Sequence, residues 1–165
     1  MSKNHPVVAI TGSSGAGTTT VKDACEHIFF RQNITPLVVE GDSFHSLDRA
    51  AFKEAVAKHD AAGNNFFSHF GPEANHFDKI AETFQSYGDT GACKRRYYIH
   101  SDEESLFHNE RLGGTTYTAG EFTPWEDISE DSDLLFYEGL HGGARDGDTD
   151  VSAFVDLLIG VVPVV

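Results

Sequence analysis

The chain has 165 residues, 39% of them hydrophobic and 12% aromatic. That suits one folded domain spanning 1–165 with a sizeable core. Its net charge of −14, from 26 acidic and 12 basic side chains, repels a phosphate backbone and argues against nucleic-acid binding. No run reaches the roughly 18–20 continuous apolar residues of a membrane span, so a cytoplasmic protein with no membrane partner is expected.

The first predicted element is a buried strand over residues 7–11, short, apolar and rich in β-branched residues. A Gly/Ser loop over 12–17 follows. Residues 18–32 carry apolar positions at Val21, Ala24, Cys25, Ile28 and Phe29, a helical spacing. A second strand is predicted over 36–40. Strand, loop, helix and strand in this order make a βαβ unit, and so a parallel sheet with a right-handed crossover.

Further along, helices are predicted over 50–62, stopped at Gly63, and over 75–87, stopped at Gly88. Residues 94–100 are compatible with a strand. Residues 100–133, acidic and rich in Gly and Thr, are expected to form a long surface excursion. Strands are predicted over 134–137 and 155–165. The chain ends on an apolar Val-Val pair. A parallel strand ordinarily needs a following element to cover it, so truncation after a core strand is expected. Cys25 and Cys93 lack metal-ligand spacing and are expected as two reduced thiols.

Three motifs carry chemistry. The first is Gly12-Ser13-Ser14-Gly15-Ala16-Gly17-Thr18-Thr19, placed between a predicted strand and a predicted helix. There, successive backbone N–H groups and the helix N-terminus form an anion nest. Thr19 occupies the position whose hydroxyl ligands Mg²⁺ in such loops. The general motif has Lys where this chain has Thr18. Either the loop binds no triphosphate or a cation arrives from elsewhere. Lys22, one turn further along, is expected to face solvent.

The second motif is Glu40-Gly41-Asp42-Ser43-Phe44-His45, at the carboxyl end of a strand, where open α/β sheets bind ligands. Asp42 there either caps the next turn or accepts the proton of an attacking hydroxyl. The third is Leu134-Leu135-Phe136-Tyr137-Glu138-Gly139, in which an apolar strand ends in a carboxylate suited to Mg²⁺. His45 with Arg49, and Lys94, Arg95, Arg96 with His100, are either surface ion pairs or phosphate sites.

Taken together, HPVVAITGSSGAGTTTV, VEGDSFH with Arg49, FGPEAN, the segment ending YYIH, FTPW, LLFYEGLHGG and DLLIGVVPVV resemble phosphoribulokinases of the bacterial class. These belong to the P-loop sugar and nucleoside kinases. The stretches run from residue 5 to the end. The resemblance implies an α/β P-loop kinase fold, a parallel or mixed sheet flanked by helices. It implies transfer of the γ-phosphoryl of ATP to D-ribulose 5-phosphate.

By resemblance Asp42 is the base. The loop residues Gly12, Ser13, Ser14, Gly15, Ala16, Gly17, Thr18 and Thr19 hold ATP, and Thr19 and Glu138 hold Mg²⁺. His45, Arg49 and His100 bind the sugar phosphate. A homo-oligomer responsive to NADH and AMP is also implied. Many members carry Arg where this chain has Ser46, and the 101–121 excursion is longer than the family pattern. The resemblance further implies that the lysine missing from the loop comes from a helix beyond residue 165. Residues 1–165 alone are therefore expected to bind nucleotide weakly and to turn over little. The alternatives are a kinase of the uridine kinase type and a degenerate, inactive nucleotide-binding fragment.

Overall fold

A computed structural model describes residues 4–114, 116–129 and 131–163. Its centre is a four-stranded parallel sheet. The strands are β1 (Val7–Gly12), β2 (Pro36–Glu40), β5 (Leu134–Gly139) and β8 (Leu157–Val161), in the order β2-β5-β1-β8. β5 lies between β1 and β2, with Ile10 and Glu40 both level with Glu138. The carboxyl ends of the first two strands therefore open beside Glu138.

Strand alternation divides the apolar residues between two faces. Val7, Ala9, Leu37, Val39, Leu135 and Tyr137 point to one side. They are covered by α3 (Phe77–Thr90), which buries Phe77, Ile80, Ala81, Phe84 and Tyr87. Ile10, Leu134 and Phe136 point to the other side, against Val21, Cys25 and Phe29 of α1 (Thr18–Gln32). The α3 face holds the larger core. On the far side of α1, Ile28 and Phe30 remain exposed, as do Leu157 and Leu158 of β8.

The helix α2 (Arg49–Ala61) starts where Asp48 accepts a hydrogen bond from Ala51 N at 2.8 Å. Two-stranded antiparallel ribbons flank the main sheet. One pairs β3 (Cys93–Arg95) with β4 (Glu126–Ile128), the other β6 (Arg145–Asp146) with β7 (Thr149–Asp150). Cys25 and Cys93 are not joined by a disulfide.

Several expectations need correction. α3 runs through Gly88 to Thr90 and stops at Gly91, whose φ of 76° supplies the left-handed cap. Asn75 lies outside the helix, its side chain recruited by the preceding loop. The strand expected over 94–100 is only Cys93–Arg95. Beyond it Arg96 turns inward and donates to Ser43 O and His45 O, both at 2.6 Å.

The excursion contains a helix, α4 (Asp102–Arg111), capped by Ser101, which accepts from Glu104 N at 3.2 Å. The Ser-x-x-Glu spacing is a helix-start signature visible in the sequence. The last strand is shorter than 155–165. It begins at Leu157, after Asp156 has accepted a hydrogen bond from Val7 N at 2.9 Å. Residues 164–165 of that expectation lie outside the described residues.

Candidate active site

A cleft of about 620 Å³ opens at the carboxyl ends of β1, β2 and β5. At one end is the loop after β1. Ala16 N closes a turn onto Ser13 O at 2.9 Å. Gly17, with φ 96°, is the left-handed N-cap of α1, a conformation that costs any residue with a Cβ about 1–2 kcal/mol. No side chain caps α1, and its first turn holds no acidic residue. Its first N–H groups are thus left to an anion. Gly12, Ser13, Ser14, Gly15, Thr18 and Thr19 line the cleft, whereas Ala16 and Gly17 shape the loop from behind.

Asp42 and Glu138 both line the cleft, and the residues next to them, Gly41 and Gly139, bring the two backbones close together. A Cβ on Gly41 would lie 2.8 Å from Gly139 Cα, and one on Gly139 would lie 2.6 Å from Gly41 Cα. Only glycine fits at both positions. Glu138 and Thr19 both line the cleft. A carboxylate and a hydroxyl are hard oxygen donors of the kind Mg²⁺ takes alongside water and phosphate, so the pair fits that ion. Among the described residues there is no cluster of three or more His, Cys, Asp or Glu side chains able to hold a metal by itself.

Asp42 does not cap a turn with its side chain. It is the second residue of a 3-10 turn, Gly41–Phe44, and its carboxylate lies 3.3 Å from His45 Nε2 and 3.9 Å from His100 Nε2. The hydrogen bond from His45 holds its pKa below the usual carboxylate value. Burial opposes this, and the charges of His45, His100 and His69 add to the lowering. Burial pushes His45 down, but the Asp42 hydrogen bond, the Asn75 hydrogen bond and the Asp42 charge leave it raised overall. Both shifts favour an ionised carboxylate beside a protonated ring.

His45 and His100 line the cleft, and Arg49 does not. Arg49 sits behind them, donating to Tyr98 Oη and His100 O, both at 3.3 Å. His100 is held from a second side, where its N–H reaches Glu104 Oε2 at 2.7 Å. Arg95 and Arg96 are structural. Arg95 donates to Val38 O at 3.3 Å, and Arg96 lies against Phe122 and Trp125 while tying down 43–45. Burial lowers the Arg96 pKa to about 10.

Lys22 is less solvent-directed than its sequence position suggests. Its ammonium is 4.0 Å from the carboxylate of Glu40, a cleft residue. Ser46, at the position of the family's arginine, donates to Glu73 O at 3.0 Å.

Seven lining residues were not singled out from sequence as site residues: Gly41, Gly139 and Leu140, whose backbone lies beside Asp42 and Glu138, and Glu40, His69, Phe70 and Tyr98. His69 stacks on Phe52 with ring centres 3.6 Å apart and lies 5.0 Å from His45. Burial, then the charge of His45, lowers its pKa. The signal for Phe70 and Tyr98 was their place in the FGPEAN and YYIH stretches. His69 had no such signal.

Comparison with known proteins fits this geometry. Residues 7–165 match the family described as Phosphoribulokinase / Uridine kinase. The chain belongs to this family. It is 46% identical over all 165 residues to a phosphoribulokinase of Nitrobacter vulgaris, of which it covers 54%. A solved phosphoribulokinase from Rhodobacter spheroides superposes with a TM-score of 0.81 at 40% identity, over 99% of this chain and 53% of that one. A possible uridine kinase from Bacillus stearothermophilus, at 16% identity and a TM-score of 0.63 over 97% of this chain and 72% of that one, shares the fold. The chain thus spans about half the length of the curated phosphoribulokinases it matches. The α/β P-loop kinase fold with a parallel sheet between helices is as expected. Among the described residues, no helix is long and apolar enough to cross a membrane.

Proposed function

We propose that the protein is a phosphoribulokinase, transferring the γ-phosphoryl of ATP to D-ribulose 5-phosphate to give ribulose 1,5-bisphosphate and ADP. The observation that carries this is the position of Asp42. Its carboxylate shares one cleft with an uncapped phosphate loop and with His45 and His100.

The loop Gly12–Thr19 receives the phosphates of ATP through backbone N–H groups and the N-terminus of α1. Thr19 and Glu138 would hold Mg²⁺, which when bound offsets negative charge on the phosphates. Asp42, kept ionised by His45, accepts the acceptor hydroxyl's proton as that oxygen bonds to the γ-phosphorus and the bond to the ADP oxygen breaks. His45 and His100 bring positive or hydrogen-bonding edges to an anionic acceptor. Arg49 supports His100 and Tyr98 and lends its charge beside them.

Thr18 leaves the loop without the usual cation. Lys22 is the nearest basic side chain on α1, and its pairing with Glu40 limits it to a distant electrostatic contribution. A cytoplasmic homo-oligomer responsive to NADH and AMP completes the proposal, as the family resemblance implies.

The test is a coupled ADP-release assay with a panel of acceptors, on this chain and on its reading frame extended past residue 165. Turnover of D-ribulose 5-phosphate well above that of uridine and cytidine is expected in the extended chain. Preference for a nucleoside would replace phosphoribulokinase by a uridine kinase type of activity. No acceptor-dependent turnover in either chain would leave a nucleotide-binding protein.

A further inference from the structure

Asn75 is a polar side chain only 6% exposed, and the substrate-binding proposal gives it no task. Its Nδ2 lies 2.8 Å from His69 O and 2.7 Å from Gly71 O. Carbonyl oxygens only accept hydrogen bonds, so the amide NH₂ is fixed on that side. Its Oδ1 must then face His45 Nδ1, 2.7 Å away. An amide oxygen also only accepts, so His45 Nδ1 must carry a proton.

The other ring nitrogen, Nε2, faces Asp42 Oδ1 at 3.3 Å. A neutral ring protonated at Nδ1 would aim a lone pair at a carboxylate. The arrangement is satisfied when Nε2 is protonated too, or when the carboxylate holds the proton between them.

We propose that Asn75 is a positioning residue, which fixes the proton on His45 Nδ1 and so dedicates His45 Nε2 to Asp42. The same amide ties down the 69–71 segment, which carries His69 and Phe70 into the cleft. One side chain thus sets both the tautomer of His45 and the wall opposite it. The catalytic meaning of this role rests on Asp42 being the base. The tautomer assignment stands without it.

Other groups also face His45. Arg96 donates to His45 O at 2.6 Å, and His69 and Tyr98 have ring centres 5.0 Å and 6.4 Å away. His100 approaches the same Asp42 carboxylate at 3.9 Å. His141 is buried, and its pKa is pushed down to about 4 by burial and then by the charge of His45. The cations among them oppose protonation of His45. Of the groups packed on the ring, only Asp42 and Asn75 favour its doubly protonated form.

The experiment is a ¹⁵N–¹H titration of the histidine rings in the unliganded 165-residue chain, with His45 assigned by loss of its signals in His45→Gln. The unsubstituted protein is expected to show His45 titrating above the ordinary 6.5, with its neutral form protonated at Nδ1. In Asn75→Leu the midpoint should fall by about one pH unit, and the neutral form should move to Nε2–H. Asn75→Asp keeps an acceptor for Nδ1–H and should retain the Nδ1 tautomer, which a merely structural role would not predict.

A neutral Nε2–H form in the unsubstituted protein would overturn the proposal without any variant having to fold. So would an unmoved midpoint in a folded Asn75→Leu. Because the titration needs no turnover, a failed acceptor panel would sink the kinase proposal and leave this result intact.

Discussion

The two ends of the cleft are built from different materials. The end proposed to hold phosphate is one continuous loop, residues 12–19, and presents backbone. The end proposed to hold the acceptor is assembled from side chains of separate segments: Asp42 and His45, His69 and Phe70, then Tyr98 and His100. The first needs a local conformation, set by Gly17 at φ 96° and by the uncapped start of α1. The second needs the fold to be correct, because Asn75, Arg96 and Glu104 each hold a piece of it in place. Side-chain deletions should therefore be costly at the acceptor end. At the phosphate end, substitutions that change backbone conformation should do the damage.

The largest effect is expected at Asp42. Asp42→Asn keeps shape and removes the proton acceptor, so kcat should fall by about 10²–10⁴ with nucleotide affinity little changed. Stopped-time assays at saturating ATP and D-ribulose 5-phosphate, with nucleotide titration in parallel, check this. Turnover within about threefold of the unsubstituted protein, less than 1 kcal/mol on the scale where 1.4 is tenfold, would remove Asp42 from the base role.

Gly17→Val comes next and tests the opposite end. A β-branched residue at φ 96° is strained by at least the roughly 1–2 kcal/mol of the left-handed region, and the loop should relax away from its N-cap geometry. Nucleotide affinity is expected to drop about tenfold or more, while Ser13→Ala, which removes only a hydroxyl, should change it by less than about threefold. If Ser13→Ala were the more damaging of the two, the phosphate end would depend on side chains after all, and the contrast would collapse.

This contrast also explains what was legible in the sequence. The βαβ unit, the phosphate loop and the strand ending in Glu138 were readable because each is local, a run of residues whose spacing declares its conformation. Asp42 was readable only as a choice between cap and base; in the fold its carboxylate faces His45, an arrangement set by residues outside the motif and so invisible in the sequence. His69 was not readable. It enters the cleft only because Asn75 and Phe52 hold it there.

The basic run 94–96 left surface ion pairs and phosphate contacts both open. The fold gives Arg96 a third role, as a donor to the carbonyls of Ser43 and His45. α4 was missed although Ser101 and Glu104 announce its start, because its two apolar residues, Leu106 and Phe107, are exposed and give no core-facing stripe.

Arg49→Ala should have a smaller effect, confined to the acceptor. Its guanidinium touches Tyr98 Oη and His100 O, and it lies outside the lining of the phosphate loop. KM for D-ribulose 5-phosphate is expected to rise about tenfold and KM for ATP to stay within about twofold, the pattern of lost acceptor binding. An equal rise in both would mean that Arg49 supports the fold of the whole cleft.

The smallest effect concerns stability, and its sign is fixed by the Asp42–His45 pair. The folded pKa of Asp42 is lowered from 3.8, so its contribution is present above that value and is lost as pH falls through the folded one. The folded pKa of His45 is raised from 6.5, so its contribution is complete below that value and is lost as pH rises through the folded one. Both are in force together only between 3.8 and 6.5. His45→Gln should therefore be more destabilising at about pH 5.5, inside that window, than at about pH 8.5, well above it. The Asp42 side chain is half exposed, and solvent screening should hold the difference below about 1 kcal/mol. Urea unfolding of both proteins at the two pH values measures it. A larger loss at the higher pH would reverse the sign and show that His45 is held neutral in the folded protein, with its Nε2 turned away from the Asp42 carboxylate.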